Sequence, residues 1–307
     1  MSYPLQPSIL ISLLAASLLT ACGGDSKTVD TDPADAAYTG NRDQVPLTLS
    51  TARDFTDTLF DGEDFNDFAD ISGRAQASQN LPGLLKQQQY LLNIATPYSN
   101  NSSLQQRSFD RSCDFGGSVN IDEDINILSR LGSFTFNFTG CRQTQAVQID
   151  GEMFLIVDDY DSQGNPSETS LSMNNLSLAE DSIQNRFTGV IQNQVSGATT
   201  TQTTDLHSLN LSNNDQFYLQ NLQIIDSVTD SISGRIYDGD KGYIRLSSST
   251  DLMITGAGVP TQGFIYLHGA DNSTARLSQS SDSAITLELD EDGDGTYEHQ
   301  EIVDITG

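Results

Sequence analysis

From about Cys113 to the C-terminus, apolar side chains fall on every second position. Phe134, Phe136 and Phe138 alternate with Thr135 and Asn137, the pattern of a strand with one buried face. Comparable runs recur at Val147–Val157, Leu171–Leu178, Phe187–Val195, Leu206–Leu211, Phe217–Ile225 and Ile232–Tyr237. They continue at Tyr243–Leu246, Phe264–Leu267, Ile285–Leu289 and Tyr297–Ile305. Turn sequences separate them, among them Asp161–Asn165, Asn213–Asp215 and Asp238–Gly242. Spacings this short leave no room for crossover helices, so the strands must pair antiparallel, mostly as a meander. More than ten strands in succession curl or close, which leaves a curled sheet, an open barrel or a sandwich. No strict repeat points to a solenoid.

Upstream the period changes to that of a helix. Thr51-Ala52-Arg53-Asp54 fits a capping box, and Ala52, Phe55, Leu59 and Phe60 share one face before Gly62. A second helix is predicted from Asn80-Leu81-Pro82, carrying Leu84, Leu85, Leu91, Leu92 and Ala95 as far as Pro97. Both stripes read as packing surfaces, and residues 99–108 form a polar junction. The predicted fold class is therefore mainly β: a large antiparallel meander sheet preceded by two short α-helices. Residues 47–108 form a helical segment packing on the sheet, and 109–307 the β-domain. Residues 22–46 are rich in Asp, Thr and Ala with few large apolar groups, too few to offset the entropy of ordering, and are expected to form an acidic disordered stalk. The apolar run Ile9–Leu19 is too short to span a bilayer and ends in small residues, so residues 1–21 read as a cleaved signal peptide.

Leu19-Thr20-Ala21-Cys22 resembles the lipobox of bacterial lipoproteins. The resemblance implies that Cys22 becomes a lipid-bearing N-terminus that anchors the chain to a membrane. Gly23 after the cysteine implies sorting to the outer membrane of the cell envelope, facing either the periplasm or the surface. Met1–Pro7 departs from the family in carrying no Lys or Arg.

Charge narrows the partners. Lys plus Arg number 14 against 42 Asp plus Glu, a net charge of −28, which repels nucleic acid and anionic lipid head groups. With Cys22 taken by lipid, Cys113 and Cys141 are expected to pair in an oxidising compartment. Their 28-residue separation gives about 3–4 kcal/mol of stabilisation in the chain-entropy account.

The strongest chemical motif is Asp290–Glu301, which satisfies the calcium-loop template of alternating acidic positions, a glycine and a terminal glutamate. A hard cation needs six to eight oxygens, and alternate Asp residues on a tight loop converge on one point. By position Asp290, Asp292 and Asp294 supply carboxylates, Thr296 a backbone carbonyl, Glu298 a carboxylate directly or through water, and Glu301 a bidentate carboxylate. The flanks read as strands, so the loop resembles the Asp-x-Asp-Gly-Asp-Gly turns of exported bacterial β-proteins more than an EF-hand pair. Glu301 shares parity with Val303 and Ile305, which sets its metal role against an inward orientation. A solvated acidic turn is the plainer alternative. Asp122–Asp124 and Asp158–Asp161 read as solvated loops.

Catalytic motifs are absent: the sequence holds no G-x-S-x-G elbow, no H-E-x-x-H and no phosphate-binding glycine loop. His207, His268 and His299 are far apart and read as surface or half-buried residues. Cys113–Ser118, Gly140-Cys141 and Ile232–Tyr237 resemble exported lipoproteins, a likeness that implies no activity. The sequence thus predicts a non-catalytic, lipid-anchored envelope protein with structural calcium, partnered by the membrane and by an envelope protein or lipid. A carrier for a hydrophobic ligand in a concave sheet and a secreted hydrolase stay open as alternatives.

Overall fold

A computed structural model describes residues 32–60, 107–126, 131–142, 145, 147–162, 166–180, 183–254, 260–281 and 283–304. The signal segment, Cys22, the start of the stalk and the helix predicted around Asn80–Pro97 lie outside them.

Strand follows strand along the β-domain. The first eight are β1 (Arg107–Ser112), β2 (Ser118–Ile125), β3 (Gly132–Arg142), β4 (Val147–Tyr160), β5 (Pro166–Glu180), β6 (Ile183–Ser196), β7 (Thr199–Asn210) and β8 (Gln216–Asp226). They continue as β9 (Ser231–Asp238), β10 (Gly242–Ser248), β11 (Met253–Ile254), β12 (Pro260–Gln262), β13 (Ile265–His268), β14 (Thr274–Ser281), β15 (Ala284–Asp290) and β16 (His299–Asp304). Fourteen form one antiparallel meander in chain order, while β11 and β12 pair separately between β10 and β13. The sheet is not closed: its outermost strands are β1 and β16.

Alternation decides which face is which. On the inner face Phe134, Phe136 and Phe138 are buried and stack side by side, with ring centroids 6.2 and 6.3 Å apart. Ile121, Met153, Leu171, Phe187, Ile244, Leu267 and Leu287 join the same apolar cluster. The outer face is mostly Ser, Thr, Asn and Gln. Polar-rich strands run longer than their apolar cores suggest: β7 extends back through Thr199–Thr204, where β-branched residues suit the pleat. Asp122-Glu123-Asp124 is strand and not loop, with Glu123 buried within β2.

A line of β-bulges crosses the sheet from β3 to β9. The register shifts in β3, β4, β5, β7 and β8, and Gly140, Gly151, Asn175, Gly189, Asn221 and Gly234 hold positive φ along it. Neighbouring irregularities touch. A Cβ on Gly189 would lie 2.1 Å from the Asp205 carbonyl oxygen, and one on Gly234 2.7 Å from Leu222 Cα. Side-chain oxygens receive the backbone N–H groups that the bulges release. Asp150 accepts from Gly140 (2.5 Å), Thr188 from Asn175 (3.2 Å) and Asp205 from Asn221 (2.7 Å). Stacked bulges bend strands together, so the line is a crease in the sheet.

Helix α2 (Leu49–Phe60) buries Ala52, Phe55, Leu59 and Phe60 and packs beside β15 and β16. Its cap is one turn earlier than predicted: the Thr48 hydroxyl oxygen accepts the Thr51 N–H at 3.2 Å. The stalk expectation fails from Asp32 onward. Asp32 caps the short helix α1 (Pro33–Ala37), accepting the Ala34 N–H at 2.9 Å, with Pro33 at the first helical position. Ala34 and Tyr38 then pack on an aromatic patch of the outer face formed by Tyr218 and Tyr237, with Tyr243 at its margin. Burial raises the Tyr218 hydroxyl pKa above its usual range, and that hydroxyl donates to Asp32 (2.7 Å). Burial and the nearby Asp238 charge push Tyr38 up to about 12. The segment passes the end of β10, where Val45 N–H donates to the Tyr243 carbonyl (3.1 Å), and delivers Leu47 to the inner core. One small and one aromatic side chain suffice because their partner is a tyrosine patch that a scan for long apolar runs passes over.

Candidate metal site

The acidic motif occupies the hairpin between β15 and β16. Leu289 and Leu287 anchor β15 in the core, and the chain leaves the sheet at Asp290, which is itself buried. Asp290 organises the turn. Its Oδ1 accepts the N–H groups of Gly293 (2.8 Å) and Asp294 (3.2 Å), and its Oδ2 accepts Gly295 N–H (2.9 Å). Asp292 accepts Asp294 N–H (3.1 Å), Asp294 accepts Thr296 N–H (2.7 Å) and Glu298 accepts Glu291 N–H (3.2 Å). Gly293 has φ +74°, and a Cβ there would approach Asn272 to 2.8 Å, so only glycine lets the loop close on its neighbour.

These bonds bring Asp290, Asp292, Asp294 and Glu298 together. One carboxylate oxygen from each lies within 4.8 Å of all the others, a group able to hold a metal ion. Thr296 lies on the same loop. Glu301 does not join them: its Oε1 pairs with Arg53 Nη1 of α2 at 3.1 Å. Parity explains the correction, since Glu301 shares the face of buried Val303 and turns toward the helix packed there.

A buttress that the sequence reading missed supports the loop. Arg276 on β14 makes two bonds to Glu288 on β15 (2.7 and 3.0 Å) and lies 4.0 Å from the Tyr297 ring centroid. The Glu288 carboxylate raises the Arg276 pKa, securing its charge. Only the β14–β15 register puts Arg276 opposite Glu288, and β14 has too weak an apolar pattern to be recognised as a strand.

Cys113 and Cys141 lie at disulfide distance, Cα–Cα 5.4 Å, at the mouth of the β2–β3 hairpin. The histidines are far apart, and His207 is buried where a surface or half-buried position was expected. Ser247 Oγ and His268 Nε2 are 2.8 Å apart on the outer face. Among the described residues no carboxylate orients the second ring nitrogen, so the pair lacks the third member of an acyl-transfer triad. Compared with family models, curated proteins and solved structures, the chain matches none.

Proposed function

We propose that the protein is a non-catalytic, lipid-anchored component of the cell envelope whose β-domain is locked by a structural calcium ion. The carrying observation is the convergence of Asp290, Asp292, Asp294 and Glu298. Their 4.8 Å spread is about twice a calcium–oxygen distance, and an all-oxygen donor set suits a hard cation. In this reading the Thr296 carbonyl and water complete the shell, and the Arg53 partnership removes Glu301 from it. A cation would relieve the mutual repulsion of carboxylates held this close.

Thermal melts test the site. Calcium at about ten times its dissociation constant should add roughly 1.4 kcal/mol, and chelator should reverse the gain. Asp292→Ala should abolish the response while Glu301→Gln retains it. A melting temperature indifferent to calcium and chelator would make the loop an ordinary acidic turn. The anchor rests on the lipobox at Cys22. Cys22→Ser should move the protein from the membrane to the soluble fraction, and an unchanged membrane fraction would remove the anchor.

A further inference from the structure

The outer face carries a second concentration of charge, opposite in sign to the rest of the molecule. Arg235 on β9 and Arg245 on β10 are direct cross-strand partners, and Arg245 stands opposite His268 on β13. Like charges placed directly opposite destabilise a sheet. With 42 Asp plus Glu against 14 Lys plus Arg, a carboxylate neighbour would be the ordinary outcome. Yet the residues that line a cleft with them include no Asp or Glu, and the carboxylate of Asp205 behind Asn221 is taken by that residue's backbone N–H. The cleft is open, about 630 Å³ in volume, with Gln220, Asn221 and Ser247 among the other walls.

The two guanidiniums differ in how they are held. Arg235 Nη1 donates to Gln220 Oε1 (2.9 Å), which also accepts the Tyr237 hydroxyl (2.9 Å), and its guanidinium lies 5.4 Å from the Tyr243 ring centroid. Arg245 has no hydrogen-bond or ion-pair partner among the described residues. Beside it, burial and then the Arg245 charge lower the His268 pKa, so the ring is neutral near pH 7. The crease passes along one wall of this space, where the bulge at Asn221 meets Gly234 so closely that a Cβ there would lie 2.7 Å from Leu222 Cα.

We propose that this cleft binds a phosphoryl group carried on a polar, sugar-sized body. Its walls are rich in donors: two guanidiniums, two carboxamides and a hydroxyl. A single carboxylate could neutralise one arginine and would leave the other repelled. A phosphate ester offers several oxygens and up to two charges, and guanidinium forks match its geometry. The volume exceeds a bare phosphate and lies in the range of small-molecule sites. The net charge of −28 disfavours extended polyanions and leaves a compact one. The cleft lies on β8, β9, β10 and β13, so the assignment is independent of the calcium loop.

Titration calorimetry on the calcium-equilibrated protein tests the proposal with inorganic phosphate, glucose 6-phosphate and glucose. Flotation with phosphatidylcholine vesicles, with and without phosphatidic acid, supplies a second arm. Glucose 6-phosphate should bind more tightly than phosphate, and glucose not at all. Arg245→Gln and Arg235→Gln should each weaken binding about tenfold or more, with unchanged circular dichroism. Ligand should also move the His268 ring resonances and raise that ring's pKa as the Arg245 charge is neutralised. Retention only by phosphatidic acid vesicles, lost in both variants, would support the proposal and assign the phosphoryl group to a lipid headgroup. No binding in either arm, or equal binding by both variants, would overturn it, as would glucose binding as well as its phosphate.

Discussion

At the scale of single residues, burial decides which groups respond to pH. His207 is 5% exposed and shares a hydrogen bond with Gln216 Oε1 (3.2 Å). Burial disfavours its imidazolium and lowers its pKa, with the Gln216 bond opposing the shift. The folded value lies below the unfolded one, so the unfolded chain binds the extra proton first. The His207 contribution to stability is complete above about pH 6.5 and is lost as pH falls through the lowered folded value. Burial shifts the Asp205 and Asp226 carboxyls upward, which acts in the opposite sense, so the variant comparison matters more than the wild-type slope. Melting temperatures from pH 7 to 5 should fall less for His207→Gln than for wild type; identical slopes would remove His207 from the acid response. The inner face should be sensitive to volume. Phe136 is fully buried between Phe134 and Phe138, and Phe136→Ala should cost about 3–5 kcal/mol in urea unfolding.

Elements show how much of this protein could be read from its sequence. The inner face was legible because its signal is local: Phe134, Phe136 and Phe138 announce a half-buried strand without reference to any neighbour. The acidic hairpin was legible for the same reason, as all four converging carboxylates lie within one turn. Arg235, Arg245 and His268 were not, because they belong to three strands and meet only through the β9–β10 and β10–β13 pairings. The crease was hidden as well, since its bulges are marked only by scattered glycines and asparagines. Gly189 shows what they do. Its φ of +153° and the nearby Asp205 carbonyl oxygen leave no room for a methyl group. Gly189→Ala should therefore cost about 1–3 kcal/mol, although Ala is the better residue in an ordinary strand. Gly197 makes a useful control, since it sits in a hairpin turn with open space around it. Equal losses at the two positions would argue against the crease as the cause.

For the whole molecule, the segment from Asp32 to Leu47 joins the two faces of the sheet. Tyr38 lies among the outer tyrosines, with ring centroids 5.6 Å from Tyr218 and 5.5 Å from Tyr237, while Leu47 lies in the inner core. Between them Gln44 forms the only isolated bridge described, to Tyr243. The segment also has a mechanical consequence. Tension applied to the chain ahead of Asp32 first loads the Asp32–Tyr218 bond and the packing of α1. It next meets the backbone bonds from Asn41 to Gly239 and from Val45 to Tyr243, and only then Leu47. Each contact is expected to yield before the ladder behind it bears load, so the segment should act as a series of fuses protecting the sheet. Under force, wild type should show an early, short extension before the main rupture, and Tyr38→Ala should lower the force of that first step while leaving the second in place.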